Sequence, residues 1–117
     1  MTREQTDREI PSRYKGMWLF ALFDLPVDDK KARKEYTLFR KHLVKQGFSM
    51  LQFSVYAKFC LSRENSRTYQ GRINKILPSG GQVRLLSVTD KQFADMIVFF
   101  GKVRQKPEKA PEQILLF

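Results

Sequence analysis

Two sets of charged residues in this 117-residue chain stand where they could do chemistry. The first is Asp24, which closes the apolar run Met17 to Phe23 and stands directly before Leu25 and Pro26. A carboxylate at the end of a buried strand can hold a hard divalent cation through oxygen. An aspartate before Leu-Pro is also an ordinary turn residue, so both readings stay open. The second set is Lys30, Lys34, Lys41 and Lys45, with Arg33 and Arg40 flanking. At about 100° per residue the four lysines share one side of a helix, opposite Ala32, Tyr36, Phe39 and Leu43. Such a rail suits phosphates, whose contacts hold a duplex without reading its sequence; a merely solvated face would look the same. The remaining catalytic inventory is thin. Asp28 or Asp29 is placed to cap the helix, and His42, the single histidine, falls within it. There is no His, Cys or Glu cluster with metal-ligand spacing, no Gly-rich phosphate loop and no nucleophile with a recognisable base.

The charge balance favours binding. Lys and Arg number 22 against 12 Asp and Glu, a net charge of +10. Self-repulsion of that size opposes compaction unless a polyanion offsets it, and nucleic acid is the leading candidate. An anionic membrane surface, or solubility alone, is the rival. The longest apolar run, Met17 to Phe23, is far short of the roughly 18 to 20 residues a membrane span needs. The start, MTREQTDREI, is too polar for a signal peptide. Cys60 has no second cysteine to pair with and sits in an apolar stretch, which fits core packing in a reducing compartment. The expected location is cytoplasmic.

The elements that must position these groups are legible as an α+β chain. Residues 1–16 read as a flexible N-terminal extension of mixed charge. A buried strand runs from Met17 and is closed by the Pro26 turn. A helix spans Lys30 to Gln46, with Gly47 placed to take the left-handed conformation at its end. Phe48 to Cys60 is too long for one strand and divides near Gln52 to Ser54. Ser62 caps a second helix carried by Tyr69, Ile73, Ile76 and Leu77 until Pro78-Ser-Gly-Gly breaks it. Gln82 to Val88 is the fourth strand, and Thr89 with Gln92 has the form of a capping box opening one short turn. Extended chain resumes at about Met96 to Phe100. The order βαββαβ is the split βαβ arrangement of ferredoxin-like domains, with both helices on one face of an antiparallel sheet. The domain spans 17–101. Its other face, left bare, calls for a second copy or a partner. Residues 102–117 then read as a spacer and an edge strand, Gln113 to Phe117, that packs on its own sheet or is added to another chain.

Several of these segments together resemble a known family. FALFDLP (Phe20 to Pro26), RKEYTLFRKHLVKQGF (Arg33 to Phe48), LQFSVYAK (Leu51 to Lys58), SVTDKQF (Ser87 to Phe93) and the ending EQILLF look like the CRISPR-associated protein two family, the type II branch above all. The extension before Met17 departs from that pattern. The resemblance implies a ferredoxin-like homodimer with facing sheets. It would act with the CRISPR integrase in spacer acquisition, bridging double-stranded DNA. It also implies possible metal-dependent endonuclease activity on RNA or DNA. Asp24 matches the family's metal-binding aspartate. One carboxylate is a poor Mg²⁺ site, but a two-fold axis near Asp24 would bring two together, sharing the ion across the dimer. Ser54 and Tyr56 match the family's SVY-type segment and would lie near that axis, although buried packing explains Tyr56 equally. A single-stranded RNA-binding module without catalysis is the alternative, and it would need an open sheet whose aromatics stack bases.

Overall fold

A computed structural model describes residues 16–111. The elements in chain order are β1 (Met17–Asp24), α1 (Lys30–Lys45), β2 (Ser49–Gln52), β3 (Val55–Cys60), α2 (Arg63–Asn74), β4 (Gln82–Thr89), α3 (Asp90–Ala94), β5 (Val98–Phe100) and β6 (Val103–Gln105). The first four strands form one antiparallel sheet in the order β2-β3-β1-β4, and β5 and β6 form a separate ribbon. β1 is central: Met17 to Asp24 pair with Thr89 to Gln82 on one side, and Met17 to Leu22 with Cys60 to Val55 on the other. This is a mixed α+β fold with the strand order of the split βαβ arrangement.

Side chains alternate across β1, and each face has its own core. Met17, Leu19, Ala21 and Phe23 pack with Phe39 and Leu43 of α1, Ile73 of α2, and Tyr56 and Cys60 of β3. Both helices therefore lie on one face. Trp18 and Phe20 point the other way and join Ala57 and Phe93. The sequence leaves this second face bare; in the structure α3 covers part of it. Phe93 stacks on Trp18 with ring centroids 4.0 Å apart. The Trp18 Nε1–H donates to Asp90 Oδ1 at 2.8 Å, and the Asp90 N–H donates to the Gly16 carbonyl at 3.1 Å. Burying an aromatic such as Phe93 stabilises by about 2–3 kcal/mol, enough to hold a five-residue helix that could not stand alone. Beyond α3 the face is open: Leu86, opposite Phe20, is 52% exposed, and towards Asp24 it turns polar, with Arg84 opposite Leu22 and Gln82 opposite Asp24.

Local chemistry sets most boundaries. Asp29, not Asp28, caps α1, accepting from the Ala32 N–H at 2.7 Å, and Gly47 leaves the helix at φ +95°. The capping box at α3 is complete in both directions. The β2–β3 reversal is a tight turn at Phe53 and Ser54 between the paired residues Gln52 and Val55. Two sequence expectations are corrected. α2 ends at Asn74, so Ile76 and Leu77 lie beyond it, because Pro78 drives the residue before it out of helical backbone. The stretch read as a bare spacer contains β6, which turns back at Gly101 to pair with β5. The expected edge strand Gln113 to Phe117 and the extension before residue 16 lie outside the described residues.

Candidate functional site

Asp24 is the last residue of β1, opposite Gln82, with its side chain exposed on the face turned away from α1 and α2. Its backbone is fixed from both sides. The N–H of Phe23 donates to the Ser54 carbonyl at 3.1 Å, tying the hairpin turn to this strand end. On the other side Gly81 adopts φ +80°, and a Cβ there would stand 2.5 Å from the Asp24 carbonyl oxygen and 2.9 Å from Leu25 Cα. Only glycine tolerates both the conformation and the approach. The loop carrying Gly81 is held in turn by Ser79, whose hydroxyl lies 2.9 and 2.8 Å from the two Glu35 carboxylate oxygens and donates to one at a time.

Among the described residues no three His, Cys, Asp or Glu side chains gather as a metal site. One chain thus offers a single exposed carboxylate at this corner. Mg²⁺ takes one or two carboxylates and keeps its waters, so the donor type fits and a second copy of Asp24 would complete the set.

The seven Lys and Arg residues of α1, Lys31 among them, are all exposed, but they divide into groups. Arg40, Lys41 and Lys45, with Thr37 and Val44, line a shallow groove of about 380 Å³. Lys30 and Arg33 lie in the first turn, which holds no acidic residue. A helix N-terminus carries partial positive charge, so cations there are disfavoured until an anion arrives. Arg33 Nη1 donates to the Val27 carbonyl at 3.2 Å, tying this turn to the loop that leaves Asp24. Arg40 is the most constrained of the seven. Its Nε donates to the Tyr56 hydroxyl at 3.0 Å, and that bond raises the guanidinium pKa above its ordinary value.

Ser54 and Tyr56 separate. Ser54 adopts φ +62°, uncommon for a residue with a side chain, and sits one strand position from Asp24 through its carbonyl. Tyr56 is 2% exposed and lies in the core beneath the helices, so its side chain does not face the open side of the sheet. Its place is the support of Arg40. Sequence reasoning missed two further features. Phe53 falls in the division expected at Gln52 to Ser54, but its ring was given no role, and it stands out at the hairpin tip, 79% exposed. Tyr69 carries Lys58 Nζ 4.5 Å and the Arg72 guanidinium 4.8 Å from its ring centroid, a cluster drawn from β3 and α2 that no linear pattern announces. No described helix is long and apolar enough to cross a membrane.

Comparison with known proteins adds a consistent set of matches. The family described as CRISPR associated protein Cas2 matches residues 17–96. A protein named CRISPR-associated endoribonuclease Cas2 from Parvibaculum lavamentivorans is 46% identical over 101 residues, covering 86% of this chain and 100% of that one. The protein of the same name from Flavobacterium psychrophilum is 42% identical over 106 residues, 91% of this chain and 92% of its own. A third, from Paracidovorax avenae, is 45% identical over 104 residues, covering 89% and 96%.

Proposed function

The chain belongs to the CRISPR-associated Cas2 family, and on that premise we propose that it is a homodimeric, DNA-bridging subunit of spacer acquisition acting with the CRISPR integrase. The observation that carries the reading is the exposed basic face of α1 in a chain of net charge +10. Seven cations on one rigid helix, three of them lining one groove, suit a row of phosphates and give no base specificity. In the homodimer the faces turned away from the helices meet, covering the apolar surface around Leu86 and bringing Asp24 from two copies together. A Mg²⁺ held there would polarise a phosphoryl oxygen and lower the pKa of its bound water. The chain's own part is to hold the two carboxylates in place, through Gly81 on one side and the Ser54 carbonyl on the other.

A metal-dependent endonuclease is the second reading, favoured by the exposed Asp24 carboxylate and by the relatives' name. A single-stranded RNA-binding sheet has less support, because Trp18 is already stacked on Phe93 and only 6% exposed.

The test compares the full chain with Asp24→Ala in two assays, integration of a short DNA duplex with the integrase and metal-dependent cleavage of RNA and DNA. The bridging role predicts that the variant remains dimeric and still supports integration. Loss of integration and cleavage together, with the dimer intact, would make the metal site part of the mechanism and favour the second reading. Failure of the wild-type chain to support integration would contradict the bridging role.

A further inference from the structure

Phe53 is 79% exposed, the most exposed large apolar side chain among the described residues. The turn it occupies does not require it: the unusual backbone angle belongs to Ser54. Its ring lies 6.3 Å from that of Tyr36, inclined by only 27°, so the two present an offset, near-parallel pair. The Arg40 guanidinium lies 5.9 Å from the centroid of Tyr36. Arg40 is fixed through Nε by Tyr56, and among the described residues its Nη groups have no further hydrogen-bond partner. Arg40 also lines the groove shared with Lys41 and Lys45. A single residue thus joins a pair of aromatic rings to a cationic groove.

These two halves match the two halves of a nucleotide. Cations take the phosphate, and an aromatic ring takes the π-face of a base, a contact that any base can make. An apolar protein partner would leave the cations unsatisfied, and an acidic one would have no use for the ring pair. A base inside a duplex shows only its edges, so the base that stacks here must be unpaired. We propose that Phe53, backed by Tyr36, is a stacking platform for an unpaired nucleobase whose phosphate is held by Arg40 and the groove lysines. This deepens the nucleic-acid reading above and rests on it.

The test uses the full chain and two DNA probes at one salt concentration. One probe is a blunt duplex; the other is the same duplex with a short unpaired tail carrying 2-aminopurine, whose fluorescence is quenched on stacking. The wild-type chain should bind the tailed probe more tightly and quench it. Phe53→Ala should lose about ten-fold in affinity for the tailed probe, together with the quenching, while blunt-duplex binding changes by less than about two-fold. Phe53→Trp should restore both. Quenching that survives Phe53→Ala, equal weakening on both probes, or loss of self-association in place of base contact would overturn the platform. Blunt-duplex binding that behaves normally while wild-type and Phe53→Ala treat the tail alike would overturn the platform alone. Absence of any binding by the wild-type chain would overturn the nucleic-acid reading with it.

Discussion

Asp24 has a backbone clamped on two sides and a side chain left in solvent, a combination suited to a group that must meet something external. Its position was legible in the sequence, because an apolar run that ends in Asp-Leu-Pro fixes both the strand end and the turn. The clamp was not legible, since Ser54 and Gly81 come from distant segments and act through backbone atoms. Tyr56 shows the same limit: alternation places it in a strand, but only register tells which face it takes, and it faces the helices. Cys60 was read correctly as core packing and is fully buried. Burial pushes its thiol pKa up, with Lys58 opposing. The unfolded chain therefore ionises first, so stability is flat below the ordinary thiol range and falls as pH rises through it. A disulfide reagent at neutral pH should react with Cys60 only slowly in the native chain and fully in urea; prompt native reaction would show that the core opens there.

Among the elements, the long and strongly patterned ones were the readable ones. α1 carries its core stripe and its lysines at helical period, and both caps have ordinary chemistry. The extent of α2 was overread, because Ile76 and Leu77 keep the helical spacing past Asn74, where the helix has already ended ahead of Pro78. β6 was missed because three exposed residues, Val103–Gln105, carry no alternation, and its pairing with β5 depends on a glycine turn. The cover over Trp18 was missed because a five-residue helix becomes a lid only through tertiary contact by Phe93. The loop before β4 offers a direct test of how Asp24 is held. Gly81→Ala must bring a Cβ against the Asp24 carbonyl at positive φ, with an expected cost of about 1–3 kcal/mol. The urea midpoint should fall with the slope unchanged. An unchanged midpoint would mean that the turn relaxes freely and does not position Asp24.

At the scale of the whole molecule the two sides of the sheet differ in chemistry. One is roofed by helices whose outer surface is basic; the other is apolar around Trp18, Phe20 and Leu86, partly covered by Phe93, and polar at the edge where Asp24, Gln82 and Arg84 stand. The sequence conveyed the charge and the pattern, and the fold explains why they do not interfere, since strand alternation and helix period send them to opposite sides. That separation would let the proposed dimer form through one side while the proposed nucleic acid lies along the other. Backbone recognition of this kind releases counterions, so affinity should fall log-linearly with salt, and each lost phosphate contact should make the slope shallower by about one. The most direct test is therefore a titration of the full chain with a blunt DNA duplex over a range of salt concentrations, beside the double variant Lys34→Ala, Lys41→Ala. The account predicts a steep negative slope for the wild-type chain, shallower by about two in the variant, with the same oligomeric state. Affinity that does not respond to salt, or a slope that the double variant leaves unchanged, would contradict it.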